Sequence, residues 1–170
     1  MAKEYLDTNG LTYFWNKLKN YFQEKLVSGT NIKTVNNQSL LGSGNITTDT
    51  DSGWSSAEWG SDFTAYTTGY PARYRKINGI VEFVGVAKPT ATIAGSTTAY
   101  TLITLPEGYR PIRERDYVMQ GSGNAIWTMR VYPDGRVTFE RFRDMGSASG
   151  AYKQVTNTTW LPFNATFIAD

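Results

Sequence analysis

The chain has 170 residues, 40% hydrophobic, 14% aromatic and only 19% charged, which is enough for one core of about 100 to 150 residues plus an appendage. It contains neither Cys nor His, which removes thiol nucleophiles, disulfide staples, the usual zinc sites and every Ser-His-Asp or Cys-His arrangement. A formal net charge of +2 argues against nucleic acid as the main partner.

The two ends of the chain differ in composition. All nine Arg lie from Arg73 onward, five of the eight Lys lie within the first 33 residues, and residues 49–170 carry 12 basic and 12 acidic side chains. Abundant Tyr, Phe and Trp favour strands over long solvated helices, so a mainly β protein is expected. With no basic-then-apolar leader and no run of about 18 apolar residues, the expectation is synthesis in a cytoplasm without Sec export or membrane insertion. A small protein without disulfides needs another source of stability, and oligomerisation is the obvious one.

Residues 1–28 read as a helical segment capped by Asp7 or Thr8. Leu11, Phe14, Trp15, Leu18, Phe22 and Leu26 fall on one stripe at about 100° per residue, and positions 11, 14, 18 and 21 also fit a heptad seam. The stripe is expected to trimerise the chain. Residues 29–61 are rich in Gly, Ser, Thr and Asn, with turn signals at Asn36-Asn37 and Gly42-Ser-Gly44 around a weak apolar pulse. They read as a short β neck and linker that neighbouring chains complete.

From residue 62 to 170 the pattern is that of strands. Asn78-Gly79 and Pro133-Asp134-Gly135 are strong hairpin signals, flanked by predicted strands at 72–77, 80–87, 126–132 and 137–142. Further strands are expected at 100–105 and 163–168, with weaker ones at 63–66 and 117–120. About eight strands with polar turns point to an antiparallel β-sandwich, jelly-roll-like, with Trp127 and Trp160 in its core.

Three segments carry a resemblance. Tyr5-Leu-Asp-Thr-Asn-Gly-Leu-Thr-Tyr-Phe-Trp-Asn-Lys-Leu18 resembles the N-terminal helix of tail and baseplate appendage proteins in phages and prophages of Gram-positive bacteria. Ile32-Lys-Thr-Val-Asn-Asn-Gln-Ser-Leu-Leu-Gly-Ser-Gly-Asn-Ile46 is similar to a module recurrent in phage tail fibres, which usually reads Val-Asn-Gly. Leu105-Pro-Glu-Gly-Tyr-Arg-Pro111 followed by Tyr132-Pro-Asp-Gly-Arg-Val-Thr-Phe139 is similar to the strand-loop-strand signature of phage receptor-binding heads. The resemblance implies a homotrimer of shoulder helix, neck and head, mounted on the virion tail through its N-terminal region. The head would bind a host cell-wall polysaccharide or other surface glycan.

No motif of that family fixes the sugar-binding residues here, so candidates follow from chemistry. A sugar offers apolar C–H faces and dense hydroxyls, so its site needs flat rings together with fork-like donors or carboxylates. Trp59, Tyr70, Arg73, Arg143, Asp144 and Tyr152 fit that description. Two other functions compete: a structural tail adaptor that binds no glycan, marked by an exposed apolar patch, and a polysaccharide depolymerase. The latter needs two carboxylates about 5 to 9.5 Å apart, from Glu140 with Asp144 or Glu114 with Asp116. Those carboxylates sit among Arg110, Arg113, Arg115 and Arg141 and read as ion pairs, so no catalytic residue, cofactor or metal is expected. Asp49 and Asp51 lie close together but lack EF-hand spacing, and Gly121-Ser-Gly123 is too short for a phosphate loop.

Overall fold

Asp7 starts the helix. Its backbone carbonyl accepts the Leu11 N–H at 2.9 Å and its carboxylate accepts the Gly10 N–H at 2.7 Å, satisfying one of the donors that a helix N-terminus leaves free. Helix α1 then runs Thr8–Lys25. The computed structural model describes residues 7–25, 30, 32–35, 37–46, 48–146 and 150–169, and the chain divides into two compact units, Met1–Thr48 and Asp49–Asp170.

In the first unit the predicted stripe is uncovered. Leu11, Phe14, Trp15 and Phe22 are between 53% and 65% exposed, and Leu18 is half-buried; Leu26 lies outside the described residues. A closed turn follows in the segment read as neck, where Val35 and Gln38 exchange N–H to carbonyl hydrogen bonds of 3.1 and 2.8 Å around Asn37 at φ +62°. This bridge is made within the chain.

Among the described residues the second unit has ten strands: β1 Ser55–Ser56, β2 Glu58–Trp59, β3 Phe63–Ala65, β4 Arg73–Ile77, β5 Ile80–Pro89, β6 Tyr100–Thr104, β7 Arg115–Gln120, β8 Ala125–Val131, β9 Arg136–Asp144 and β10 Leu161–Ile168. They form two five-stranded sheets with antiparallel pairings, β1-β4-β5-β10 with β3 also on β5, and β2-β6-β9-β8-β7. The protein is therefore mainly β with one helix among the described residues. Strands β1 and β2 draw residues 55–59 into these sheets, ahead of the expected head start at residue 62.

Turn chemistry sets the hairpins. Asn78 and Gly79 both have positive φ, +49° and +82°, as a two-residue turn of primed type requires, and they join β4 to β5 with Ile77 opposite Ile80. Alternation sets the faces. Along β10, Leu161, Phe163, Ala165 and Phe167 are buried while Asn164, Thr166 and Ile168 are exposed. Along β8 the buried set is Ala125, Trp127, Met129 and Val131.

Strand β9 breaks alternation at Arg141, whose φ is +57°, where the register with β8 shifts between Ile126 and Thr128. This bulge lets Phe139 and Phe142, three residues apart, both join the core, their rings 6.0 Å apart. Both sheets feed one buried cluster that includes Phe63, Phe83, Phe163, Leu102, Trp127 and Phe139. Trp127 is core, as expected, but Trp160 is 38% exposed. It sits one residue before the inward-facing Leu161, so the period-2 rule turns it outward.

Candidate functional site

The outer face of the first sheet carries a ladder of side chains that ends in a cleft. Beginning at the Asn78–Gly79 turn, the cross-strand rows are Ile77, Ile80 and Ile168; then Arg75, Glu82 and Thr166; then Arg73, Val84 and Asn164; then Val86 and Pro162. The last two rows floor an open cleft of about 620 Å³, walled by Trp54 and Tyr70.

Each wall has a local cause. The segment before Trp54 is pinned to β4: the Lys76 N–H donates to Ser52 Oγ at 2.9 Å and the Ser52 N–H to the Lys76 carbonyl at 3.0 Å. The Asp51 carboxylate accepts the Gly53 N–H at 2.8 Å with Gly53 at φ +67°, a tight Asx turn that presents Trp54. The Arg75 guanidinium carbon is 4.5 Å from the Trp54 ring centre, and Glu82 holds Arg75 by contacts of 2.9 and 2.8 Å. Tyr70 sits on a loop closed by the Tyr70 N–H to the Thr67 carbonyl at 3.1 Å and anchored by the Tyr66 N–H to the Val86 carbonyl at 2.8 Å.

The six sequence candidates therefore separate. Tyr70 and Arg73 meet in the cleft. Arg143, Asp144 and Tyr152 gather at the end of β9 in the second sheet: Arg143 and Tyr152 form a backbone bridge, and the guanidinium carbon lies 5.8 Å from the Tyr152 ring centre. Asp144 is engaged by Lys153 Nζ at 2.7 Å and by the Gly146 N–H at 3.1 Å. The Lys153 ammonium, then the Gly146 N–H, holds its carboxyl below the usual carboxylate range. That carboxylate thus already holds one ion pair and one backbone N–H. Trp59 belongs to neither group, since it is partly buried with its ring edge-on to Phe163 at 6.0 Å. It packs the core.

The carboxylates weighed for hydrolysis also find partners, though not those expected from sequence adjacency. Glu114 and Asp116 pair with Arg130 at 3.0 and 2.6 Å, across the β7-β8 ladder. Glu140 is buried and accepts the Thr138 hydroxyl at 2.9 Å, while its neighbour Arg141 is exposed at the bulge. Asp49 accepts the Asn78 side-chain amide at 3.2 Å.

Trp54, Asn164 and the floor residue Pro162 were not foreseen. Trp54 stands in a Gly- and Ser-rich stretch that reads as linker, and only its isolation as an aromatic among turn residues marked it. No family model matches the sequence, and no curated protein matches it. Among the described residues no helix is long and apolar enough to cross a membrane.

Proposed function

We propose that the protein is a trimeric receptor-binding component of a phage or prophage tail, which holds a host surface saccharide in the cleft between Trp54 and Tyr70. The observation that carries this reading is the cleft's chemistry: two partly exposed rings to lie against sugar C–H faces, with Arg73 and Asn164 as hydroxyl partners, on a rigid sheet. The uncovered stripe of α1 supports assembly, because an apolar face of this kind is stable only when another surface covers it. The two-sheet unit then acts as the head, and the N-terminal region as the mount.

Affinity per site in such an adhesin is weak, about 0.1 to 1 mM, and three sites on one trimer raise avidity by ~10² or more. The test is a glycan screen of the full chain against host cell-wall polysaccharides, with single-site titration of the best ligand. Binding that is lost in Trp54→Ala supports the reading; a trimer that binds no wall glycan moves the protein to a structural adaptor. One observation favours that second reading: Ile80 and Ile168, paired across β5 and β10, are 46% and 66% exposed. The depolymerase reading draws no support from Glu140 and Asp144, which are engaged by Thr138 and Lys153.

A further inference from the structure

We infer that the saccharide taken by the cleft carries an anionic group, seated at Arg73; this rests on the saccharide reading above. Strand β4 places Arg73 and Arg75 on the same outer face, two residues apart. They are treated oppositely by their neighbours. Arg75 stands opposite Glu82 and is neutralised by it at 2.8 Å, with Asp51 at 3.7 Å as a second acid.

Arg73 stands opposite Val84 on one side and Ser56 on the other, and the next position in its row is Asn164. Its side chain is exposed and its guanidinium makes no hydrogen bond or ion pair among the described residues. Among the described residues that line the cleft there is no Asp or Glu, and Arg73 is the one charged side chain. An exposed Arg is ordinarily a solvated cation. Here it is set at the floor of a concavity between two rings, where a carboxylate or phosphate on a stacked sugar meets a planar fork of donors. A neutral sugar offers that fork only uncharged hydroxyl oxygens, whereas an anionic group adds a charge-assisted, two-pronged partner.

The experiment titrates the full chain with galactobiose, digalacturonate and an oligo(glycerol phosphate), at low salt and again at 0.5 M salt. One or both anionic probes should bind about tenfold more tightly than galactobiose, with the advantage shrinking at high salt. Which of the two wins tells a uronate from a phosphodiester. Arg73→Gln should erase the advantage and Arg73→Lys retain part of it, both with an unchanged thermal midpoint. If galactobiose binds as tightly as either anion, or Arg73→Gln keeps the preference, the anionic inference is overturned while the saccharide reading stands. If none of the three binds, the saccharide reading falls and the inference with it.

Discussion

Arg75 is shared between Glu82 and Trp54: its guanidinium meets the carboxylate at 2.8 Å and has its carbon 4.5 Å from the indole centre. The acid thus orients the cation, and the cation supports the ring that walls the cleft. Trp54→Ala should weaken saccharide binding about tenfold. Glu82→Gln, which leaves the ring but loosens its support, should cost roughly two- to threefold, since a partly exposed pair contributes little by itself. Titration of both variants with the same saccharide checks the order; equal losses would separate Trp54 from the Arg75 pair.

Assembly is tested on the helix. Leu18→Asp places a charge in the middle of the uncovered stripe and should shift the light-scattering mass from three chains towards one of 19.0 kDa. Lys17→Asp, on the opposite face, should leave the mass unchanged. A wild-type mass of 19.0 kDa at micromolar concentration would remove the trimer from the proposal.

Gly85 makes the cleft floor compact. A methyl group there would stand 2.4 Å from Phe163 Cζ and 3.1 Å from the Ala72 Cα, so the buried Phe163 ring must move. Gly85→Ala is expected to destabilise the protein by about 1–3 kcal/mol and to weaken saccharide binding with it. Gly69→Ala, whose nearest neighbour is the Thr67 hydroxyl at 3.7 Å, should do neither. Urea midpoints of the two variants give the comparison.

Acid should loosen the second unit through two carboxylates. The Arg136 side chain, then the Arg136 backbone N–H, holds Asp134 below its ordinary value, and Lys153 does the same for Asp144. A carboxylate depressed in the folded state stabilises the fold fully above its unfolded pKa of about 3.9, and that contribution is lost as pH falls through the lower folded value. The thermal midpoint should therefore be flat from about pH 5 to 7 and drop below about pH 4. In the double variant Asp134→Asn, Asp144→Asn the acid drop should be smaller.

Most of the strand pattern was legible because it rests on local chemistry. Asn78-Gly79 demands a primed turn, and the apolar-rich run Phe163 to Ile168 reads as a strand, which the structure extends back to Leu161. What escaped depends on non-local partners. The residues of β1 and β2 carry almost no apolar signal, and they become strands only because β4 and β6 offer edges. Arg141 reads as an ordinary strand residue until Phe142 must reach the core. Of the six candidates, the fold brings Tyr70 and Arg73 to the lining of one cleft, whereas Arg143 and Tyr152, of similar side-chain chemistry, gather at the end of β9 in the other sheet. Residue type reports what a side chain can bind, and only pairing decides what stands beside it.

The Asn78–Gly79 turn has a mechanical consequence. Thr50 is tied to Asn78 by three hydrogen bonds, from its N–H and its hydroxyl to the Asn78 side-chain oxygen at 2.8 and 3.3 Å and from the Asn78 N–H to its carbonyl at 2.9 Å. The Ala169 N–H donates to the Gly79 carbonyl at 3.0 Å. The chain thus enters and leaves the sheet at one corner, while the cleft floor lies five to seven residues away along β4, β5 and β10, roughly 16–24 Å at the rise of a strand. A load applied between that corner and a ligand in the cleft runs parallel to the strands. It shears the ladder, so many hydrogen bonds must yield together, where a crosswise pull would peel them singly. Under the proposed adhesive role, drag on the tethered particle would break the hold on the ligand before it unravelled the protein that holds it.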